Sequence, residues 1–143
     1  MALLFPCKPF AVEFINSLYD QGHRIIIATA RDIDWHTNPV ALTKLWLAKN
    51  KIKHTKLYTK RIDKELICEE ENADFFIDDD LKTTARVAEH FKNIGRNCKS
   101  MLMTSEYNNN KELPEGVTRI LDFYDFAEKL KEYDIDVEAG HNC

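Results

Sequence analysis

The 143-residue chain predicts an α/β fold of three layers, α/β/α, around a mainly parallel sheet. Two short apolar runs point to it first: Arg24–Ala28 (RIIIA) and Ala73–Ile77 (ADFFI). Both are too short for a helix and lack the alternation of a half-exposed strand. Continuous apolarity of this kind marks strands buried on both faces, the condition of a parallel sheet. The segments between such runs carry apolar residues at helical spacing. Strand-like and helix-like stretches then alternate along the chain, as strand–helix–strand crossovers require.

Taken in order, Pro9–Asp20 places Phe10, Phe14 and Leu18 four apart on one helical face. Gln21-Gly22-His23 ends that helix, with Gly22 suited to a left-handed cap. The strand Arg24–Ala28 follows. Ala41–Asn50 reads as a helix with Leu42, Leu45 and Trp46 as its stripe, Thr55–Thr59 as a strand, and Ile62–Glu71 as a charge-rich helix. The strand Ala73–Ile77 stops at three aspartates. Beyond it come a helix over Lys82–Lys92, strands over Ser100–Thr104 and Thr118–Leu121, and a closing helix over Asp122–Glu132. Asn108-Asn109-Asn110-Lys111 reads as a loop. The pattern predicts one Rossmann-like domain over residues 1–134, followed by a loose tail at 135–143.

Bulk composition narrows the function classes. Charged residues make up 31% of the chain with both signs interspersed, and the net charge is -4. Nucleic-acid binding needs a basic surface to neutralise phosphates, and this balance does not provide one. No apolar run approaches the roughly 18 residues of a membrane span. The Met1–Phe5 stretch lacks the charged leader of a signal peptide. Cys7, Cys68, Cys98 and Cys143 are scattered, without the spacing of a disulfide framework or zinc site. The expectation is a cytoplasmic protein with reduced thiols.

In open parallel sheets ligands sit beyond the carboxyl ends of the strands, so chemistry is sought there. Thr29-Ala30-Arg31 follows the first strand, and a hydroxyl with a guanidinium suits an anion. A capping threonine beside a solvated arginine would look the same. Asp78-Asp79-Asp80 follows the ADFFI strand, and crowded carboxylates repel and are costly to desolvate unless compensated. A hard cation such as Mg²⁺ accounts for the cluster, while Asp80 alone can be a helix N-cap. Lys60 to Lys64 (KRIDK) opens a helix from which a lysine can reach a strand-end phosphate. His36 and Tyr107, with Asn108 to Asn110, are weaker candidates, since loop residues of these types are mostly incidental.

Together these residues resemble motifs of the haloacid-dehalogenase-like (HAD) phosphatases. Ile25–Arg31 (IIIATAR) resembles the second motif, Lys64 is placed like the third-motif lysine, and Phe75–Asp80 (FFIDDD) resembles the acidic fourth motif. Spacing and flanking text are most similar to small nucleotidases related to 5'(3')-deoxyribonucleotidases, including Met103–Asn108 (MTSEYN) as a later strand and loop. The resemblance runs from about Phe5 to about Tyr133. It implies that Thr29, with Ala30 and Arg31 beside it, holds a substrate phosphate. It further implies that Lys64 binds phosphate and nucleophile, and that Asp78 and Asp79 anchor Mg²⁺. The implied partner is a phosphorylated small molecule such as a nucleoside monophosphate.

One part of the family pattern is missing. No Asp-x-Asp-x-(Thr/Val) precedes Thr29, and the acids there, Glu13 and Asp20, fall on the predicted first helix. The expectation is therefore an N-terminally truncated hydrolase core, inactive alone for want of its carboxylate nucleophile. Its Mg²⁺ site would be weak or absent. Such a core would self-associate or require a separate N-terminal fragment, unless Ala2–Phe5 (ALLF) fills the vacant strand position. Two alternatives stand beside it: a non-catalytic module, either phosphate- and Mg²⁺-binding or an interaction module, and a receiver-like signalling domain.

Overall fold

The computed structural model describes residues 10–29, 52–59 and 61–137. In chain order the elements are α1 (Ala11–Asp20), β1 (Ile26–Thr29), β2 (Lys56–Thr59), α2 (Lys64–Glu70), β3 (Phe75–Asp78), α3 (Leu81–Ile94), β4 (Lys99–Met103), β5 (Val117–Ile120) and α4 (Phe123–Leu130). A 3-10 turn over Lys131–Tyr133 completes α4. Among the described residues every strand pairing is parallel: β1 with β2, and β3–β4–β5 in that order. The fold is thus mixed α/β and Rossmann-like in kind, as the continuous apolar runs require. The predicted helix at Ala41–Asn50 and the Ala2–Phe5 segment lie outside the described residues. No helix among the described residues is long and apolar enough to cross a membrane.

The chain divides into two compact units, one spanning Asp63–Asp122, the other combining Ala2–Ile62 with Phe123–Cys143. In the contiguous unit β4 is the central strand. Phe75 to Asp78 stand opposite Lys99 to Leu102, and Ser100 to Met103 stand opposite Val117 to Ile120. Ser100, Met101, Leu102 and Met103 are all buried, as a central strand covered on both faces requires. Helix α3 packs on β3 and β4 through Val87 and Phe91. Its Thr84 carbonyl accepts a 2.7 Å hydrogen bond from the buried Ser100 hydroxyl. Gly95, at φ 67°, lets the chain leave α3 with Gly95 N–H on Lys92 O and Arg96 N–H on Phe91 O. A side chain there would meet the left-handed penalty that glycine escapes.

Cys68 and Cys98, far apart in sequence, share the hydrophobic cluster of Phe76, Val87 and Phe91. A hydrogen bond from the Cys98 thiol lowers the Cys68 pKa against the opposing effect of burial. The same bond, together with burial, pushes the Cys98 thiol up. Because the thiolate is the reactive species, the Cys98 thiol should alkylate at neutral pH at least about tenfold more slowly in native than in urea-unfolded protein. Peptide mapping after iodoacetamide treatment checks this, and equal rates in the two states would contradict it.

In the second unit, Ile26 to Thr29 stand opposite Lys56 to Thr59, so Thr29 and Thr59 end their strands side by side. Ile27 and Ala28 are buried. Arg24 and Ile25, expected in the strand, precede it. The Ile25 N–H instead bonds the Thr55 hydroxyl at 2.9 Å, and Thr55 N–H bonds Ile25 O at 2.7 Å. Helix α1 buries Phe14 and Ile15 against α4. The Phe14 ring centroid lies 5.2 Å from Phe123 and 5.0 Å from Phe126. Phe10 caps α1 at φ 68°, a conformation that costs a bulky residue roughly 1–3 kcal/mol. Its ring, 1% exposed and stacked on Tyr124 at 4.6 Å, holds it there. As predicted, Gly22 closes α1 in a left-handed turn at φ 93°, with His23 N–H on Leu18 O and Gly22 N–H on Tyr19 O. The predicted tail is partly anchored, since Ile135 N–H bonds Leu130 O and Gln21 donates to Asp136 O at 2.7 Å.

Candidate functional site

The carboxyl end of β3 carries the most polar buried chemistry in the contiguous unit. Asp78 is the last residue of the strand rather than the first after it, because ladder pairing continues to Leu102. Its position in the pleat turns the side chain inward, and it is 2% exposed. A carboxylate there needs compensation. Lys64, the first residue of α2, supplies it with Nζ 2.8 Å from Asp78 Oδ2. The backbone N–H groups of Asp79 and Asp80 donate to Asp78 Oδ1 at 2.7 and 3.1 Å. Burial raises the Asp78 pKa, but nearby positive charge, Lys64 included, and these hydrogen bonds more than offset it. The carboxyl is held below its ordinary value and stays ionised.

The three aspartates therefore part company. Asp80 stands at the N-cap of α3, as the capping alternative requires, but its carboxylate accepts from the Thr83 hydroxyl instead of a helix N–H. Asp79 is half-buried, and its carbonyl accepts a 2.9 Å hydrogen bond from Asn108 Nδ2. The crowding that suggested a cation is relieved at Asp78 by an ammonium and two amides. An ionised carboxylate offers about four acceptor positions, so these three donors leave roughly one for a metal. Among the described residues no group of three or more His, Cys, Asp or Glu side chains is arranged to hold a metal ion. Among the described residues Asp78 and Asp79 bring two carboxylates to this strand end, and that of Asp78 is largely occupied.

Lys64 and Asp78, two of the residues singled out from sequence, are thus in direct contact. Thr29 ends β1 in the other unit, beside Thr59. Ala30, Arg31, Lys60 and His36 lie outside the described residues. Tyr107 is 78% exposed, whereas its neighbour Asn108 is 2% exposed and bonded to Asp79 and Met103 carbonyls. Sequence reasoning gave Asn108 too little weight and overlooked Arg119, which grips the Asn108 loop from β5. A signal for Arg119 existed: it is the lone charge in a four-residue strand, Val117–Ile120, with an apolar residue at each end.

The chain matches no family model, no curated protein and no solved structure. What defines it is a Rossmann-like α/β fold with a buried Lys–Asp pair at a strand's carboxyl end.

Proposed function

We propose that the chain is a HAD-like phosphomonoester-hydrolase module, binding a phosphorylated small molecule such as a nucleoside monophosphate and lacking turnover by itself. The 2.8 Å contact between Lys64 and Asp78 carries this reading. An ammonium at the carboxyl end of a parallel strand would help neutralise an incoming phosphate. The family resemblance, rather than any shared geometry, would make Thr29, Ala30 and Arg31 phosphate contacts. Asp78 and Asp79 would hold Mg²⁺ weakly, and the ion when bound would neutralise phosphate charge. Turnover would further need an Asp-x-Asp segment, since none of the required form precedes Thr29. Supply of that segment by another chain, or self-association, fits the same reading.

A second reading is favoured by the satisfied state of Asp78. Three hydrogen bonds already meet its carboxylate, so the pair can serve as an internal tether of α2 to β3 in a non-catalytic interaction module. One set of assays separates the two. The purified chain with Mg²⁺ is incubated with p-nitrophenyl phosphate and nucleoside monophosphates, and nucleotide binding is followed by calorimetry, with Lys64→Met and Asp79→Ala as controls. The expected result is nucleotide binding weakened by about tenfold or more in Lys64→Met, with no turnover above the Asp79→Ala background. Binding that ignores both substitutions, or no binding at all, favours the tether. Turnover lost in Asp79→Ala would place a working nucleophile within the chain and overturn the inactive assignment.

A further inference from the structure

We propose that Asn108, gripped by Arg119, is the positioning residue of the acidic turn Asp78–Asp80; its importance for a cation or phosphate rests on the hydrolase reading above. An asparagine amide has two donor and two principal acceptor positions. Here all four are used. Nδ2 donates to Asp79 O at 2.9 Å and to Met103 O at 3.0 Å. Oδ1 accepts from Ser105 N–H at 3.1 Å and from Arg119 Nη1 at 3.0 Å. The orientation of the amide is fixed by chemistry, because a flipped group would set oxygen against two carbonyls and NH₂ against two donors.

Arg119 makes the arrangement rigid. Its Nη1 also donates to the Thr104 hydroxyl at 3.1 Å, and its Nη2 to Asn108 O at 2.8 Å and Lys111 O at 3.2 Å. The fork thus holds both the side chain and the backbone of Asn108. The Thr104 hydroxyl passes the connection on to Ile120 O at 2.9 Å. In effect, one network ties the carboxyl ends of β3, β4 and β5 together.

Asp79 is the residue this network controls. Its N–H is pinned to Asp78 Oδ1 and its C=O to Asn108 Nδ2, so both peptide groups flanking its Cα are fixed. With those two planes set, the direction in which the Asp79 carboxylate leaves the backbone is set too. A saturated amide at 2% exposure, spent on a turn beside the Lys64–Asp78 pair, exceeds what a surface loop needs.

The decisive variant is Asn108→Asp. It keeps acceptors for Ser105 and Arg119 while placing a carboxylate oxygen against the Asp79 and Met103 carbonyls. Backbone amide exchange by NMR should accelerate about tenfold at Asp79 and Asp80, the scale of one lost buried hydrogen bond, while Leu102 and Met103 change less than about twofold. Mg²⁺ titration read at the same two amides should show affinity reduced by about tenfold. Arg119→Lys, which keeps the charge but not the fork, should loosen the same amides to a smaller degree, and serves if Asn108→Asp does not fold. Unchanged exchange at Asp79 and Asp80, or acceleration by one common factor throughout β4 and β5, would overturn the positioning role. If the wild type ignores Mg²⁺ while Asn108→Asp still loosens the turn, positioning stands and the hydrolase reading loses its metal. If the wild type binds Mg²⁺ and the variant binds it equally well, the inference fails and the reading survives.

Discussion

Replacing Asp78 with asparagine should lower the unfolding free energy by about 3–5 kcal/mol, because it leaves the Lys64 ammonium buried without a counter-charge. The amide retains the shape of the carboxylate and an oxygen for the Asp79 and Asp80 N–H groups. The loss is therefore electrostatic rather than steric. Urea denaturation near neutral pH measures it, and a change below about 1 kcal/mol would mean that the pair is solvated. Its pH dependence follows from the direction of the Asp78 shift. The folded carboxyl has a pKa below the ordinary 3.8, so between the two values the unfolded chain binds more protons and stability rises with pH. The contribution is complete above the ordinary carboxylate pKa and disappears as pH falls through the lowered one. In Lys64→Met the carboxyl loses its partner while desolvation remains, its pKa rises, and this acid-side loss of stability moves to higher pH.

Truncating Phe14 to alanine should cost about 3–5 kcal/mol, the range for emptying a buried aromatic site. Phe14 is 2% exposed and touches Phe10, Phe123 and Phe126, so no single neighbour can fill the space by a rotamer change. Phe14→Leu, which keeps much of the volume, should lose roughly half as much or less. Equal losses in the two variants would point to the ring geometry rather than the filled volume as the source of stability. Thermal unfolding of the pair of variants distinguishes these outcomes.

The parts of the fold that were legible in sequence are those where burial and local conformation coincide. Strand β3 could be read because its apolar residues, Phe76 buried and Phe75 and Ile77 half-buried, form one short run, and the end of α1 because Gly22 suits a left-handed turn. Element edges were read less well. Arg24 and Ile25 extend an apolar-looking run, yet hydrogen bonding to Thr55, far along the chain, determines where the ladder begins. The same distinction applies at the site. Lys64 and Asp78 were found through their family-like spacing, but local sequence could not show that one compensates the other. The aspartate triplet consequently read as a demand for a cation. Asn108 sits in a run of three asparagines that has the composition of a solvated loop. Its burial depends on Arg119 reaching over from β5. The shared cluster of Cys68 and Cys98 is likewise a product of packing α2 against α3, with no trace in cysteine spacing.

The discontinuous second unit has a consequence for biosynthesis. On the ribosome, the segment Asp63–Asp122 emerges as one uninterrupted stretch and holds all the strands of its own sheet. Phe10 and Phe14 emerge much earlier, but Phe123, Tyr124 and Phe126, which cover them, are made only after the whole of that intervening segment. At ordinary elongation rates the two phenylalanines wait on the order of 5–20 s for their partners. During that interval the α1 segment of the nascent chain exposes an aromatic stripe, the kind of surface that chaperones hold and that aggregates when crowded.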